Sequence, residues 1–172
     1  LKADAARLRE RGGDHYLLYV FPQFTAVVLY RVAHRCGKMG FPIVAAMISQ
    51  INLWITGAGV GWRAEFGPGL FLAHPIGVGI ADTVVAGRNL SLGHSVVLGH
   101  RSPQTGDDPR FFGTPVIGDD VDIQLKASVV GPVRIGDGAV VGAHALVIKD
   151  VPPGATARGV PARNYIAGER ID

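Results

Sequence analysis

The sequence predicts a hexapeptide β-helix preceded by a short α-helical segment. Three observations carry this reading. Isoleucine or valine falls on every sixth residue: Ile117, Ile123, Val129, Ile135, Val141 and Val147. Four residues after each stands another small or branched side chain: Val121, Ala127, Val133, Ala139, Ala145 and Val151. The 24 glycines suit a chain that turns a tight corner at the end of every short face. A helix spaces its apolar residues by about 3.6 and an ordinary strand by two, so a strict six fits neither.

Taken in order, residues 2–11 read as a short helix with its charges on one side. Tyr16–His34 is a second helical region, entered or interrupted at Pro22. Phe41 to about Thr56 is a third, with Pro42 suited to a first turn. This stretch, FPIVAAMISQINLWIT, is apolar enough to raise a membrane question. It holds Ser49, Gln50 and Asn52 and falls short of the ~20 residues a bilayer span needs. A buried helix is preferred to membrane contact.

The repeat begins near Val60, with Phe66, Leu70, Leu72 and Ile76 at inward positions. It slips by two residues after His74-Pro75-Ile76-Gly77 and resumes at Ile80, Ala86, Leu92 and Leu98. Residues 99–115 are rich in Gly, Pro and charge and read as a loop thrown out from the coil, a natural place for function. The register ends at Val151-Pro152-Pro153-Gly154. With three hexads per triangular turn, the coil has about four to five turns. The expected organisation is a helical segment 1–58, a coil 59–155 and a tail 156–172.

Bulk properties narrow the function. The net charge is +3, with no arginine-rich stripe interleaved with aromatics, so nucleic acid is not an expected partner. A lone Cys36 excludes an intrachain disulfide, is expected to be a buried small residue, and suits a cytoplasmic location. The opening LKADAARLRERGG is polar and does not read as a signal peptide.

The stretch IGDGAVVGAHALVIKDVPPGATARGVPARNYIAG resembles the ending of the hexapeptide acyltransferases, VPPGATARGVPAR being its specific part. FGPGLFLAHPIGVGIADTVVAGRNLSLGHSVVLGH and FPQFTAVVLYRVAHR resemble the serine O-acetyltransferase branch. Together the resemblance covers roughly residues 20–167. It implies an all-β left-handed parallel β-helix behind N-terminal helices, a homotrimer with inter-subunit active sites, and acetyl-CoA as donor. No metal is expected.

Acetyl transfer to a hydroxyl needs a base, and histidine, with an unperturbed pKa near 6.5, suits neutral pH. It also needs donors for the oxyanion on the thioester carbonyl. His74, in AHPIG at the register slip, matches the family's catalytic histidine and is the leading base. His100, at the root of the extruded loop, is the second candidate, as in galactoside and maltose acetyltransferases. His94 and His144 are weaker candidates for ligand contact, and His15 and His34 read as structural. On the donor side, Ala127, Gly142 and Ala145 match the small residues that line the family's CoA groove. Lys149, Arg158 and Arg163 can neutralise CoA phosphates. The family's preceding Gly-Ala-Gly reads Gln124-Leu125-Lys126 here.

Other departures concern the acceptor. The serine acetyltransferases set an aspartate just before the base and another one turn earlier; here Ala73 and Gly59 stand there. Their second histidine before a proline reads Thr114 before Pro115. Glu65 or Asp82 is the expected substitute partner for His74, and Asp107 and Asp108 on the loop are candidates to meet the acceptor. On these grounds a sugar or small-metabolite hydroxyl is the first expected acceptor and serine the alternative. A γ-carbonic-anhydrase-like zinc site at His74, His94 and His100, or an inactive scaffold, ranks lower.

Overall fold

The computed structural model describes residues 1–11, 22–101 and 113–172. Three helices, α1 (Lys2–Glu10), α2 (Pro22–Lys38) and α3 (Pro42–Thr56), precede the strands. One sheet stacks β1 (Gly59–Val60), β4 (Gly79–Ile80), β7 (Val97–Gly99), β10 (Ser128–Val130) and β13 (Leu146–Val147). A second stacks β2 (Glu65–Phe66), β5 (Val85–Ala86), β8 (Val116–Ile117) and β11 (Arg134–Ile135). The third stacks β3 (Phe71–Leu72), β6 (Ser91–Leu92), β9 (Asp122–Ile123), β12 (Val140–Val141) and β14 (Thr156–Arg158). It closes with antiparallel β15 (Arg163–Ile166) and β16 (Glu169–Arg170). All other pairings are parallel, giving a left-handed parallel β-helix behind an α-helical segment.

The register explains the sequence pattern layer by layer. Gly59 pairs with Gly79, Gly79 with Val97, Val97 with Ser128 and Ser128 with Leu146. Those steps are 20, 18, 31 and 18 residues. Eighteen is three hexads. The longer steps carry the two-residue slip and the extruded loop, whose residues 102–112, with Asp107 and Asp108, lie outside the described residues. The predicted inward columns from Ile117 to Val151 are all buried. Ile76 departs from expectation: it is 69% exposed, and Val78 takes the inward place. The two extra residues form a turn at this corner, Val78 N–H donating to the Pro75 carbonyl (3.1 Å), which carries Ile76 outside. Parallel pairing also continues past 155, with Thr156 and Ala157 of β14 beside Val140 and Val141.

One corner is built from glycine and aspartate together. A Cβ on Gly87 would sit 2.1 Å from Asp119 Oδ1, and one on Gly118 would sit 2.1 Å from Asp137 Oδ1. The bare glycines let each carboxylate accept a backbone N–H of the preceding layer: Arg88 N to Asp119 (2.7 Å) and Asp119 N to Asp137 (2.8 Å). That Arg88 N–H, with the Arg88 side chain, holds the Asp119 carboxyl below its usual range. Gly87→Ala is expected to cost about 1–3 kcal/mol, the range for overpacking a close contact. Gly79→Ala, where nothing lies within 4 Å of the added methyl, is the matched control in urea unfolding.

The helices dock on the open end of the coil. Pro22 opens α2, which carries Tyr30 into the core, where its hydroxyl donates to the Ala64 carbonyl (2.6 Å). Burial pushes that hydroxyl up to about 12. Tyr16 to Phe21 lies outside the described residues, as does His15. Cys36 is half-buried on α2. His34 donates from Nδ1 to the Trp62 carbonyl (2.9 Å), a structural role.

α3 inverts the usual burial rule. Its buried face is Ala45, Asn52 and Thr56, with Asn52 Nδ2 donating to the Ala26 carbonyl (3.0 Å) and Thr56 Oγ1 donating to the Asn52 carbonyl (2.8 Å). Ile43, Met47, Trp54 and Ile55 face outward, so the expected buried helix is instead largely exposed and buries only Ala45, Asn52 and Thr56. Among the described residues, no helix is long and apolar enough to cross a membrane.

A buried polar anchor ties α1 to the coil. Asp4 is 1% exposed and accepts hydrogen bonds from the Gly69 and Leu70 backbone N–H groups (2.9 and 2.8 Å) and from Arg31 Nε and Nη2 (3.1 and 3.0 Å). Arg31 also donates to the Phe66 and Gly67 carbonyls (2.6 Å each). Leu8 and Phe24 complete a small apolar contact between α1 and α2. This anchoring fixes where the last turn of α1 delivers Arg11.

Candidate active site

The corner after β3 is the one lengthened by two residues, and it presents His74 to solvent. Its side chain makes no hydrogen bond to the described residues. One layer on, at the equivalent corner after β6, stands His94, with ring centroids 6.4 Å apart. Both histidines line a cleft of about 240 Å³. Its other polar walls are Ser91, Asp122, Gln124 and Arg11. Ser91 and Asp122 follow Phe71 in one outward column, each directly beside the next in the parallel ladder.

The two substitute partners expected for His74 are engaged elsewhere. Glu65 pairs with Lys38 (2.6 Å), and Asp82 pairs with Arg63 (3.3 Å). Neither lines the His74 cleft. The carboxylate that does is Asp122, which sequence reasoning missed. Its register position below Ser91 was available from the repeat, but its outward direction gained meaning only once α1 had docked.

His100 does not line this cleft. It is exposed at the end of β7, one face further along the same layer, beside the root of the loop. His74, His94 and His100 therefore do not converge within the chain, as the zinc reading requires. Among the described residues no group of three or more His, Cys, Asp or Glu is placed to hold a metal ion. Thr114, where the family carries its second histidine, donates to the Thr83 carbonyl (2.8 Å) and seats the returning loop.

The expected donor-side residues fall into two sets. Ala127 and Ala145 are 0% and 1% exposed with their methyl groups in the coil interior, so they can offer a groove only backbone. Gly142 lies between layers, where an added Cβ would meet the Ala157 carbonyl at 3.4 Å. Lys126 and His144 occupy successive corners at φ 57 and 59, the left-handed geometry for which the family's glycine is suited. Arg158 and Arg163 are direct partners across β14 and β15, and Arg158 stacks on Tyr165 at 3.8 Å. Lys149 is exposed near the end of the coil.

A hexapeptide β-helix with an exposed histidine at a break in its register, and paired arginines on its last layer, defines an acyltransferase of the hexapeptide-repeat class. No family model matches the sequence. It is 36% identical over 149 residues to the serine acetyltransferase of Helicobacter pylori, covering 86% of this chain and 83% of that protein. The crystal structure of Neisseria gonorrhoeae serine acetyltransferase superposes with a TM-score of 0.87 at 34% identity, over 99% of this chain. This chain spans 65% of that one's length. The serine acetyltransferase of Brucella abortus, solved in complex with coenzyme A, gives 0.86 at 29% identity, over 98% of this chain and 66% of that one. The chain belongs to the serine acetyltransferase family.

Proposed function

We propose that this protein transfers the acetyl group of acetyl-CoA to the side-chain hydroxyl of serine, with His74 as general base. The observation that carries the reading is the exposed His74 at a small cleft whose wall also holds Arg11 and Asp122, in a chain related to serine acetyltransferases over most of its length. His74 takes the hydroxyl proton as the oxygen attacks the thioester carbonyl. The tetrahedral intermediate collapses, the carbon–sulfur bond breaks, and the imidazolium returns its proton to the departing thiolate. Both substrates bind together, so no covalent enzyme intermediate is needed. Arg158, Arg163 and Lys149 would meet the phosphates of CoA, and the small residue Gly142 would let its arm approach the backbone.

His100 enters as a second contact from a neighbouring subunit. It sits one corner away from His74, so a site using both requires two chains, and a homotrimer with inter-subunit sites meets that need.

A sugar hydroxyl is the second reading. It is favoured by Ala73 and Gly59, which remove two carboxylates from the acceptor side. The named activity of the relatives supports serine over it. The test is thiol release from acetyl-CoA with serine, homoserine, simple glycosides and nucleotide sugars. The expected result is turnover with serine; turnover with a sugar and none with serine would overturn the proposal.

A further inference from the structure

We infer that Arg11 and Asp122 form the acceptor's charge clamp, Arg11 holding a carboxylate and Asp122 an ammonium group. The inference rests on the serine reading and supplies what Ala73 and Gly59 removed. The two side chains reach the His74 cleft from different parts of the chain, Arg11 from the end of α1 and Asp122 from β9. Arg11 Nη2 donates to Ser91 Oγ (3.3 Å) and lies 3.7 Å from Asp122 Oδ2. The guanidinium carbon stands 5.8 Å from the centre of the Phe71 ring, which limits where it can swing.

The pair is loose. At 3.7 Å it is an ion pair without a hydrogen bond, since N–H···O contacts close at about 2.7–3.2 Å. The Asp122 carboxylate has no other side-chain partner among the described residues. Both groups remain 37–40% exposed at the cleft. So loose a surface pair contributes little to stability, and a ligand can separate it at small cost. An α-amino acid carries the complementary charges on one carbon. Its carboxylate can replace Asp122 on Arg11 and its ammonium can replace Arg11 on Asp122, leaving the cleft neutral. A cleft of about 240 Å³ corresponds to roughly eight waters at ~30 Å³ each, which suits an acceptor of this size.

The experiment compares serine with two truncated acceptors, ethanolamine (no carboxylate) and glycerate (no ammonium), using the full chain. Arg11→Met is expected to raise the KM for serine and lower the serine-to-ethanolamine ratio of kcat/KM at least tenfold. Asp122→Asn is expected to lower the serine-to-glycerate ratio similarly. CoA affinity, measured in parallel, reports that each variant is folded. If serine is turned over but both ratios stay where the parent has them, the clamp is wrong and the serine reading survives. If the parent turns over no amino acid, the serine reading fails and the clamp falls with it.

Discussion

Replacing His74 with alanine is expected to lower kcat for acetyl transfer by about 10²–10⁴-fold, the span that a positioned general base contributes. The side chain is exposed, makes no hydrogen bond to the described residues, and sits on a corner whose neighbours Leu72 and Val78 carry the packing. Its removal therefore leaves the coil intact. The affinity for CoA, read by calorimetry, should match the parent, because the proposed donor contacts lie on later layers. The comparison with His94→Ala and His100→Ala is informative. His94 shares the cleft, and its loss is expected to raise KM more than it lowers kcat. A His74→Ala enzyme with kcat within about tenfold of the parent would contribute too little for a base and would move the role to another residue.

The second large effect is structural. Arg31→Met is expected to destabilise the fold by about 3–5 kcal/mol, as breaking one side of a buried ion pair does. Asp4 would remain at 1% exposure with its strongest partner gone. Urea unfolding measures the loss, and a change below about 1 kcal/mol would show that Asp4 is satisfied without Arg31. The effect has a defined pH dependence. Burial pushes the Asp4 carboxyl up, but the hydrogen bonds and charge of Arg31, with the Leu70 N–H, outweigh it and hold it below its ordinary value of 3.8. A folded value below the unfolded one means that stability is present above 3.8 and is lost as pH falls through the folded value. The gap between parent and Arg31→Met should therefore be widest near neutrality and narrow in acid.

Much of the fold was legible because a six-residue period leaves the core few choices. Ile117 to Val151 occupy two columns that only a triangular coil can bury together. The loop and the slip were legible as interruptions of that period. Ile76 was misplaced because an insertion carries no signal for which of its residues is pushed out; the turn at Pro75 decides that. The inverted α3 was hidden because apolar residues are expected inside, whereas here Asn52 and Thr56 find partners on α2 and within α3 itself. The Asp119 and Asp137 corner gave no sign in the sequence, since the backbone N–H groups these carboxylates satisfy belong to another layer. In the candidate site, His74 was expected at the register slip from its motif, and it lines the cleft. Asp122 and Arg11 were not, because their meeting depends on Asp4 seating α1 some 65 residues away in sequence from Gly69.

Layers of the coil differ in length only at their corners, and the candidate acceptor residues sit on those corners, on outward strand positions or, for Arg11, at the end of α1. The buried columns from Val60 to Ala157 contribute no side chain to the cleft except Leu92. Cleft contacts and coil packing thus fall on largely separate side chains. Replacing a corner residue can redirect which hydroxyl is acetylated while the chassis beneath it is left untouched.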